Sequence, residues 1–294
     1  MLLGIAGGAH DGPNLSDSIV VANYNFKTNK LTTISIPRDI WSETLEDKIN
    51  SAYAYGEAKK PNLGGFILSK AEVEAIVGLP IQYSAVIDFE KFKELIDFVG
   101  GIDVQVDNSF VDKKFPITGK ENDDCGGDET FACRYETISF SKGKIHMSGE
   151  TALKFVRSRN AEGKEGTDFA RESRQQKVIE AAKDKLAEMA KKLNLKTYQQ
   201  LYGIIDRLVK RDISNQQAAL IAKNVIFKRN FSWEKISLSE TFFTNPPLSE
   251  NVYNGLWVLV PSDNNYTLIH RYIICRLQSQ PNCKGLEDKR KEDQ

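Results

Sequence analysis

No apolar run in the 294-residue chain approaches the roughly 18 residues that a membrane-spanning helix needs. Its start, Met1-Leu2-Leu3-Gly4-Ile5, lacks the basic leader and the length of a signal peptide and reads as a strand, so any membrane anchor is expected outside this chain. Net charge is also absent, with 40 Lys and Arg against 40 Asp and Glu, and no field over the whole surface draws the protein to nucleic acid. The only three histidines, His10, His146 and His270, show no metal-ligand spacing. There is no G-x-S-x-G of a serine hydrolase. The glycine-rich loop from Gly7 to Pro13 is neither G-x-G-x-x-G nor a Walker sequence, and a strand follows it where those motifs require a helix.

What remains is ordinary globular material, 40% hydrophobic and 27% charged, long enough to bury about 75% of the surface its unfolded chain exposes. The zero charge hides an asymmetry. Residues 1–140 carry 13 basic and 22 acidic side chains, residues 141–235 carry 21 and 11, and residues 236–294 carry 6 and 7. A basic middle segment in a neutral chain points to a local anion site. The four cysteines fall as Cys125 and Cys133, then Cys275 and Cys283. They allow three disulfide connectivities, of which two local loops are the simplest and imply an oxidising compartment; reduced thiols are the alternative.

Three strands are expected first, over Leu2–Ala6, Ser18–Asn23 and Leu31–Ile36. Helical patterns follow at 46–59 and 63–78, then a strand from Gln82 to Ile87. Asp88 can cap a helix with the apolar stripe Phe89, Phe92, Leu95, Ile96 and Val99, which Gly100-Gly101 ends. A strand over Ile102–Val106 comes next. Residues 108–147 show no sustained period and read as loop with one hairpin at most. Helices are expected at 149–156, 168–192, 196–210 and 214–229, and then strands at Lys235–Ser239 and Leu256–Val260 with a helix near 263–276. This order argues for one three-layer α/β/α domain with a mixed central sheet over residues 1–284, followed by a charged, disordered tail at 285–294.

The most informative stretch is Phe155-Val156-Arg157-Ser158-Arg159 with Thr167-Asp168-Phe169-Ala170-Arg171-Glu172-Ser173-Arg174-Gln175-Gln176. A stripe through Ile179, Ala182, Leu186 and Met189, extended backwards, reaches Gln175 and Arg171, so polar residues occupy an inward face at a helix N-terminus. Arginines there suit phosphate oxygens; pairing of Arg171 and Arg174 with Glu172 or another carboxylate is the alternative. Arg38 follows a buried-looking strand, at the sheet edge where α/β folds bind ligands, or pairs with Asp39 in a turn. Asp17 is a turn cap or, near a held diphosphate, a Mg²⁺ ligand. Lys48 reads as a surface lysine.

Taken together, these segments resemble the LytR-CpsA-Psr family of bacterial cell-envelope phosphotransferases. The matching pieces are Leu-Ser-Asp-Ser-Ile at 15–19, Ser-Ile-Pro-Arg-Asp at 35–39, Lys-Ile-Asn-Ser-Ala-Tyr-Ala-Tyr-Gly at 48–56, Val-Ile-Asp-Phe-Glu-Lys-Phe at 86–92, Gly-Gly-Ile-Asp-Val at 100–104, and the two arginine-bearing segments. The resemblance implies an extracytoplasmic, membrane-anchored α/β/α enzyme that moves a glycan phosphate from a polyprenyl-pyrophosphate carrier to a peptidoglycan hydroxyl with Mg²⁺, with pyrophosphatase activity as a side reaction. It gives Arg38, Arg157, Arg159, Arg171, Arg174 and Gln175 to the pyrophosphate, with Arg38 and Arg171 as catalytic groups and Asp39 orienting Arg38 or acting as base. Asp17 would hold the metal, Asp11 would substitute as second ligand, and Asp168 would cap the helix and orient the arginines. The lipid would lie along Phe66, Ile67, Phe92, Leu95 and Ile96, residues whose pattern a packed core shares. The chain departs from the family pattern at Ile5-Ala6-Gly7-Gly8, where an acidic residue is common, and at Glu165-Gly166-Thr167, where an arginine is common. Rival readings are a non-catalytic lipid-pyrophosphate or glycan-binding envelope protein and a DNA-binding regulator, the latter without any base-reading element.

Overall fold

The computed structural model describes residues 1–8, 12–120, 122–190, 194–218, 220–221, 232–238, 240–247, 252–280 and 283. By contacts the chain divides into two compact units, one of Met1–Ala6, Asn14–Ile87 and Lys210–Gln294, the other of Gly7–Pro13 and Asp88–Val209. The expected tail, most of the 214–229 helix and Asp11 lie outside the described residues.

The first unit is built on a six-stranded sheet. Its strands are β1 (Leu2–Ile5), β2 (Ser16–Asn25), β3 (Lys30–Ile36), β6 (Ala85–Asp88), β11 (Val209–Arg211) and β12 (Ser232–Ser237), ordered β11-β6-β1-β2-β3-β12. Neighbours β1, β2 and β3 run antiparallel while β12 runs parallel to β3, so the sheet is mixed as expected. The β2–β3 turn closes because the Asn25 side chain accepts the Lys27 and Thr28 amides and Asn29 takes a left-handed φ of 54°. Cross-strand Ile34 and Ile236 are both fully buried, each contributing about 1.5–3 kcal/mol of apolar burial. Short strands β4 (Trp41–Ser42) and β5 (Asp47–Lys48) pair beside the sheet, as do β13 (Phe243–Thr244) and β14 (Val260–Pro261). Helices α1 (Ala52–Lys59) and α2 (Gly64–Val77) meet backbone to backbone, since a Cβ on Gly56 would stand 2.2 Å from the Gly64 carbonyl. Helix α7 (Thr267–Leu277) buries Ile269, Tyr272 and Ile273 in the same core.

The second unit begins with α3 (Phe89–Phe98), whose cap is the expected one: Asp88 Oδ1 accepts the Glu90 and Lys91 amides. Strand β7 (Ile102–Val106) pairs with β10 (Gly143–Met147), and β8 (Phe110–Pro116) with β9 (Tyr135–Phe140). Helices α4 (Gly149–Arg157), α5 (Asp168–Ala190) and α6 (Leu195–Leu208) complete it. The rings of Phe110, Phe140 and Phe155 pack together within a core that also holds Ile96, Met147 and Val178.

Residues 108–147 therefore hold the β8–β9 hairpin and, beyond the loop with one hairpin at most that was expected, the strand β10. Two features obscured the hairpin: the β8 register shifts between Asp112 and Phe115, and the inward position 112 carries a carboxylate where an apolar residue is the usual signal. The α5 stripe holds at Ala182, Leu186 and Met189, which pack into the second unit's core, and fails at one position. Ile179 is 61% exposed, whereas Val178 and Ala182 are buried in line with Arg174. The disulfides are the two local ones, Cys125–Cys133 and Cys275–Cys283. Among the described residues no helix is long and apolar enough to cross a membrane.

Candidate active site

The first unit gathers Asp17, Arg38, Asp39 and Lys48. Continuing the β2–β3 pairing Ile19↔Ile36 two residues outward sets Asp17 opposite Arg38, and a guanidinium nitrogen of Arg38 contacts Asp17 Oδ1. Arg38 Nε lies 3.4 Å from Asp39 Oδ2, and Lys48 Nζ donates to Asp39 Oδ1 at 2.8 Å. Backbone bonds fix this corner: the Asn50 amide donates to the Arg38 carbonyl and the Leu259 amide to the Asp39 carbonyl. The expected pairing of Arg38 with Asp39 is present, and Asp17, which the sequence did not mark as its partner, is a second one. Lys48 is a member of the network and not a plain surface lysine. All four side chains are between 19 and 32% exposed, so two cations and two anions are ordered yet reachable.

In the second unit Arg174 is the organising residue. Its guanidinium is 3% exposed and donates from Nε to the Phe155 carbonyl, from Nη1 to the Glu165 carbonyl and carboxylate, and from Nη2 to the Ser158 carbonyl. It stands 4.9 Å from the Phe110 ring centroid and 5.9 Å from that of Phe155. Burial pushes its pKa down while Glu165 acts against that. The expectation that Arg174 binds pyrophosphate is corrected here: four of its five donor hydrogens serve protein acceptors. The residues expected to share its role stand around it. Half-buried Arg157 ends α4, exposed Arg159 follows two residues later, and half-buried Arg171 and Gln175 lie one turn apart on the first turns of α5. Arg174, reaching from α5 to the Phe155 and Ser158 carbonyls, fixes these two segments against each other.

The α5 N-cap is Thr167, whose Oγ1 accepts the Ala170 amide at 3.2 Å. This takes the capping role expected of Asp168, whose side chain lies outside the described ones. The missed residue in this unit is Asp112, which is fully buried. Its Oδ2 accepts from Ser158 Oγ and from the Arg159 and Asn160 amides, and Oδ1 accepts the Lys114 amide. No residue-type pattern marks such a carboxylate in a strand. Asp112→Ala would leave several buried donors unmatched at about 1–3 kcal/mol each, and a loss of about 3 kcal/mol in urea unfolding at unchanged m is expected.

Beside Arg157 lies a cleft of about 370 Å³. Its charged walls are Glu90, Lys93, Glu136, Glu150 and Lys154, joined by ion pairs of Lys93 with Glu90 and Glu150 and of Lys154 with Glu136. The residues expected to face the lipid divide between the two units. Phe66 is buried against Tyr53 in the first core, Leu95 and Ile96 are buried in the second unit, Phe92 is partly buried, and Ile67 is 54% exposed.

A Mg²⁺ ion takes one or two carboxylates and completes its shell from phosphate and water. Asp17 fits as one such ligand, being partly exposed with Arg38 beside it to receive the phosphate. Position 7 cannot supply another. Gly7 has a φ of +67°, and a Cβ there would meet Asp88 Oδ1 at 1.9 Å. The sole cluster of three ligand-type residues among the described ones, Asp123, Cys125 and Cys133, has its sulfurs in a disulfide.

The profile of the LytR_cpsA_psr family matches residues 1–270, spanning parts of both units. A protein of Bacillus mycoides (strain KBAB4) named "Polyisoprenyl-teichoic acid--peptidoglycan teichoic acid transferase TagU" is 32% identical over 213 residues, 71% of this chain and 58% of the relative. The chain thus spans less than two thirds of the length of the curated relatives first matched. The crystal structure of B. subtilis TagV is 25% identical with a TM-score of 0.59, covering 95% of this chain and 96% of that one. A structure described as TagT bound to LI-WTA, 21% identical with a TM-score of 0.57, covers 94% and 89% and speaks for the fold alone.

Proposed function

The chain belongs to the LytR-CpsA-Psr family, and from that membership we propose that it is a Mg²⁺-dependent phosphotransferase acting outside the cytoplasmic membrane, held there by an anchor outside this chain. It moves a glycan phosphate from a polyprenyl-pyrophosphate carrier to a peptidoglycan hydroxyl. The observation that carries this is the second unit's arrangement of Arg157, Arg159, Arg171 and Gln175 around the structural post Arg174, at the N-terminus of a 23-residue helix. Such a group of guanidinium and amide donors suits the charge and acceptor oxygens of a diphosphate.

In the reaction the acceptor hydroxyl attacks the glycan-bearing phosphorus, the bond to the bridging oxygen breaks, and polyprenyl phosphate leaves while the hydroxyl proton passes to solvent. Transfer of this kind depends on positioning and on neutralising oxygen charge. Arg171, Arg157, Arg159 and Gln175 hold the non-bridging oxygens, and the family resemblance gives Arg38 a part in neutralising the phosphate charge. Asp39, engaged by Lys48 and Arg38, orients Arg38. A Mg²⁺ ion held by Asp17 would neutralise phosphate charge when bound. The name of the TagU relative supports a teichoic acid as the glycan.

With a short-chain polyprenyl pyrophosphate, Mg²⁺-dependent phosphate release is expected and Arg171→Ala should abolish it with the far-UV spectrum unchanged. Undiminished release by that variant would sink the assignment. A non-catalytic lipid-pyrophosphate-binding protein is the second reading, favoured by Gly7 where the family pattern is acidic; the unsubstituted chain would then bind the same lipid without Mg²⁺-dependent turnover.

A further inference from the structure

A second cleft, of about 280 Å³, lies in the first unit along β12, the edge strand of the six-stranded sheet. Lys30, Trp233, Glu234, Arg276, Ser279 and Gln280 line it. Nothing in the phosphotransfer chemistry uses these residues. Trp233 is 53% exposed, yet its ring is held: the indole N–H donates to Thr33 Oγ1 at 3.0 Å and the Lys235 ammonium stands 4.6 Å from its centroid. Around it the charges are locked. Glu234 receives Nε and Nη2 of Arg276 at 3.0 and 2.6 Å on one oxygen and Lys30 Nζ at 2.6 Å on the other, and Lys30 also reaches Ser279 Oγ. Burial raises the Glu234 pKa, but the Lys30 and Arg276 hydrogen bonds outweigh it and hold the carboxyl below its usual value. The far wall is equally fixed, because the Cys275–Cys283 disulfide clasps the turn that carries Ser279 and Gln280, and the Gln280 amide donates to the Cys275 carbonyl.

We infer that this cleft is a saccharide-binding site, separate from the phosphotransfer residues, that takes an uncharged stretch of a glycan chain. A cleft of one sign would suit an anion; here a carboxylate, an ammonium, a guanidinium, a hydroxyl and an amide stand together, and a sugar hydroxyl, both donor and acceptor, is the group that satisfies such a mixture. An ordered, exposed indole offers the flat apolar surface on which a pyranose C–H face stacks. The cleft falls below the size that encloses a drug-sized ligand, so it suits a polymer laid across it. Preordered side chains keep the entropy cost of binding low.

The test is calorimetric titration of the chain with tetra-N-acetylchitotetraose and, separately, with poly(glycerol phosphate), read together with tryptophan fluorescence. Binding of the neutral oligosaccharide with little salt dependence is expected. Trp233→Ala should weaken it by about tenfold or more, Trp233→Phe should restore much of it, and Gln280→Ala should weaken it less. Arg38→Ala should leave sugar affinity unchanged, which separates this inference from the phosphotransfer reading. Three results would overturn it: no oligosaccharide binding at millimolar concentration, undiminished binding by Trp233→Ala, or a site that takes only the polyanion and is suppressed by salt.

Discussion

Replacing Arg174 with alanine is expected to destabilise the protein by about 3–5 kcal/mol, the range for breaking a buried ion pair from one side. Glu165 would keep its charge without its partner, and the Phe155 and Ser158 carbonyls would lose their donors in a place water does not fill. Lysine should not rescue it, since one ammonium cannot reach acceptors spread around a planar fork. Urea unfolding followed by circular dichroism measures the loss. A shift below about 1 kcal/mol, combined with lost affinity for pyrophosphate, would return Arg174 to the ligand-binding set.

Arg38→Ala should behave in the opposite way. Removing a donor aimed at charge that develops in the transition state costs about 10²–10³ in turnover, equivalent to about 2.7–4 kcal/mol. Its folding contribution is smaller. Arg38, Asp17, Asp39 and Lys48 are partly solvated, where ion pairs give at most about 1 kcal/mol, and Lys48 still neutralises Asp39 after the substitution. The thermal midpoint should therefore move by only a few degrees while phosphate release from a short polyprenyl pyrophosphate collapses. Arg38→Lys should recover part of the rate, because it restores charge without the fork. A large fall in the midpoint with turnover retained would make the corner a structural salt-bridge network.

Sequence carried the sheet and most helices because their signals are local: alternation in β3 and an Asp cap on α3. It also located the arginines. What it could not separate is an arginine whose guanidinium is spent on buried carbonyls from one that stays half-exposed, since Arg174 and Arg171 share a helix turn and differ in which side of it they occupy. The burial of Val178 in place of Ile179 is the same difficulty at one residue's resolution, about 100° of rotation. Asp112 was invisible for another reason: its partners at 158–160 are distant in sequence, and only the folded chain brings them to it. Of the apolar residues given to a lipid path, Phe66, Leu95 and Ile96 went into cores, because burial has one signature whatever fills it.

That distant link also has a kinetic meaning. Tying residue 112 to residues 158–160 closes a loop of some 46 residues whose entropy must be lost before any of those hydrogen bonds is gained. The segment bearing Arg157 and Arg159 thus acquires its geometry only after β8 has formed and α4 has docked. A chain still being synthesised therefore carries Arg157 and Arg159 well before they can take their folded positions.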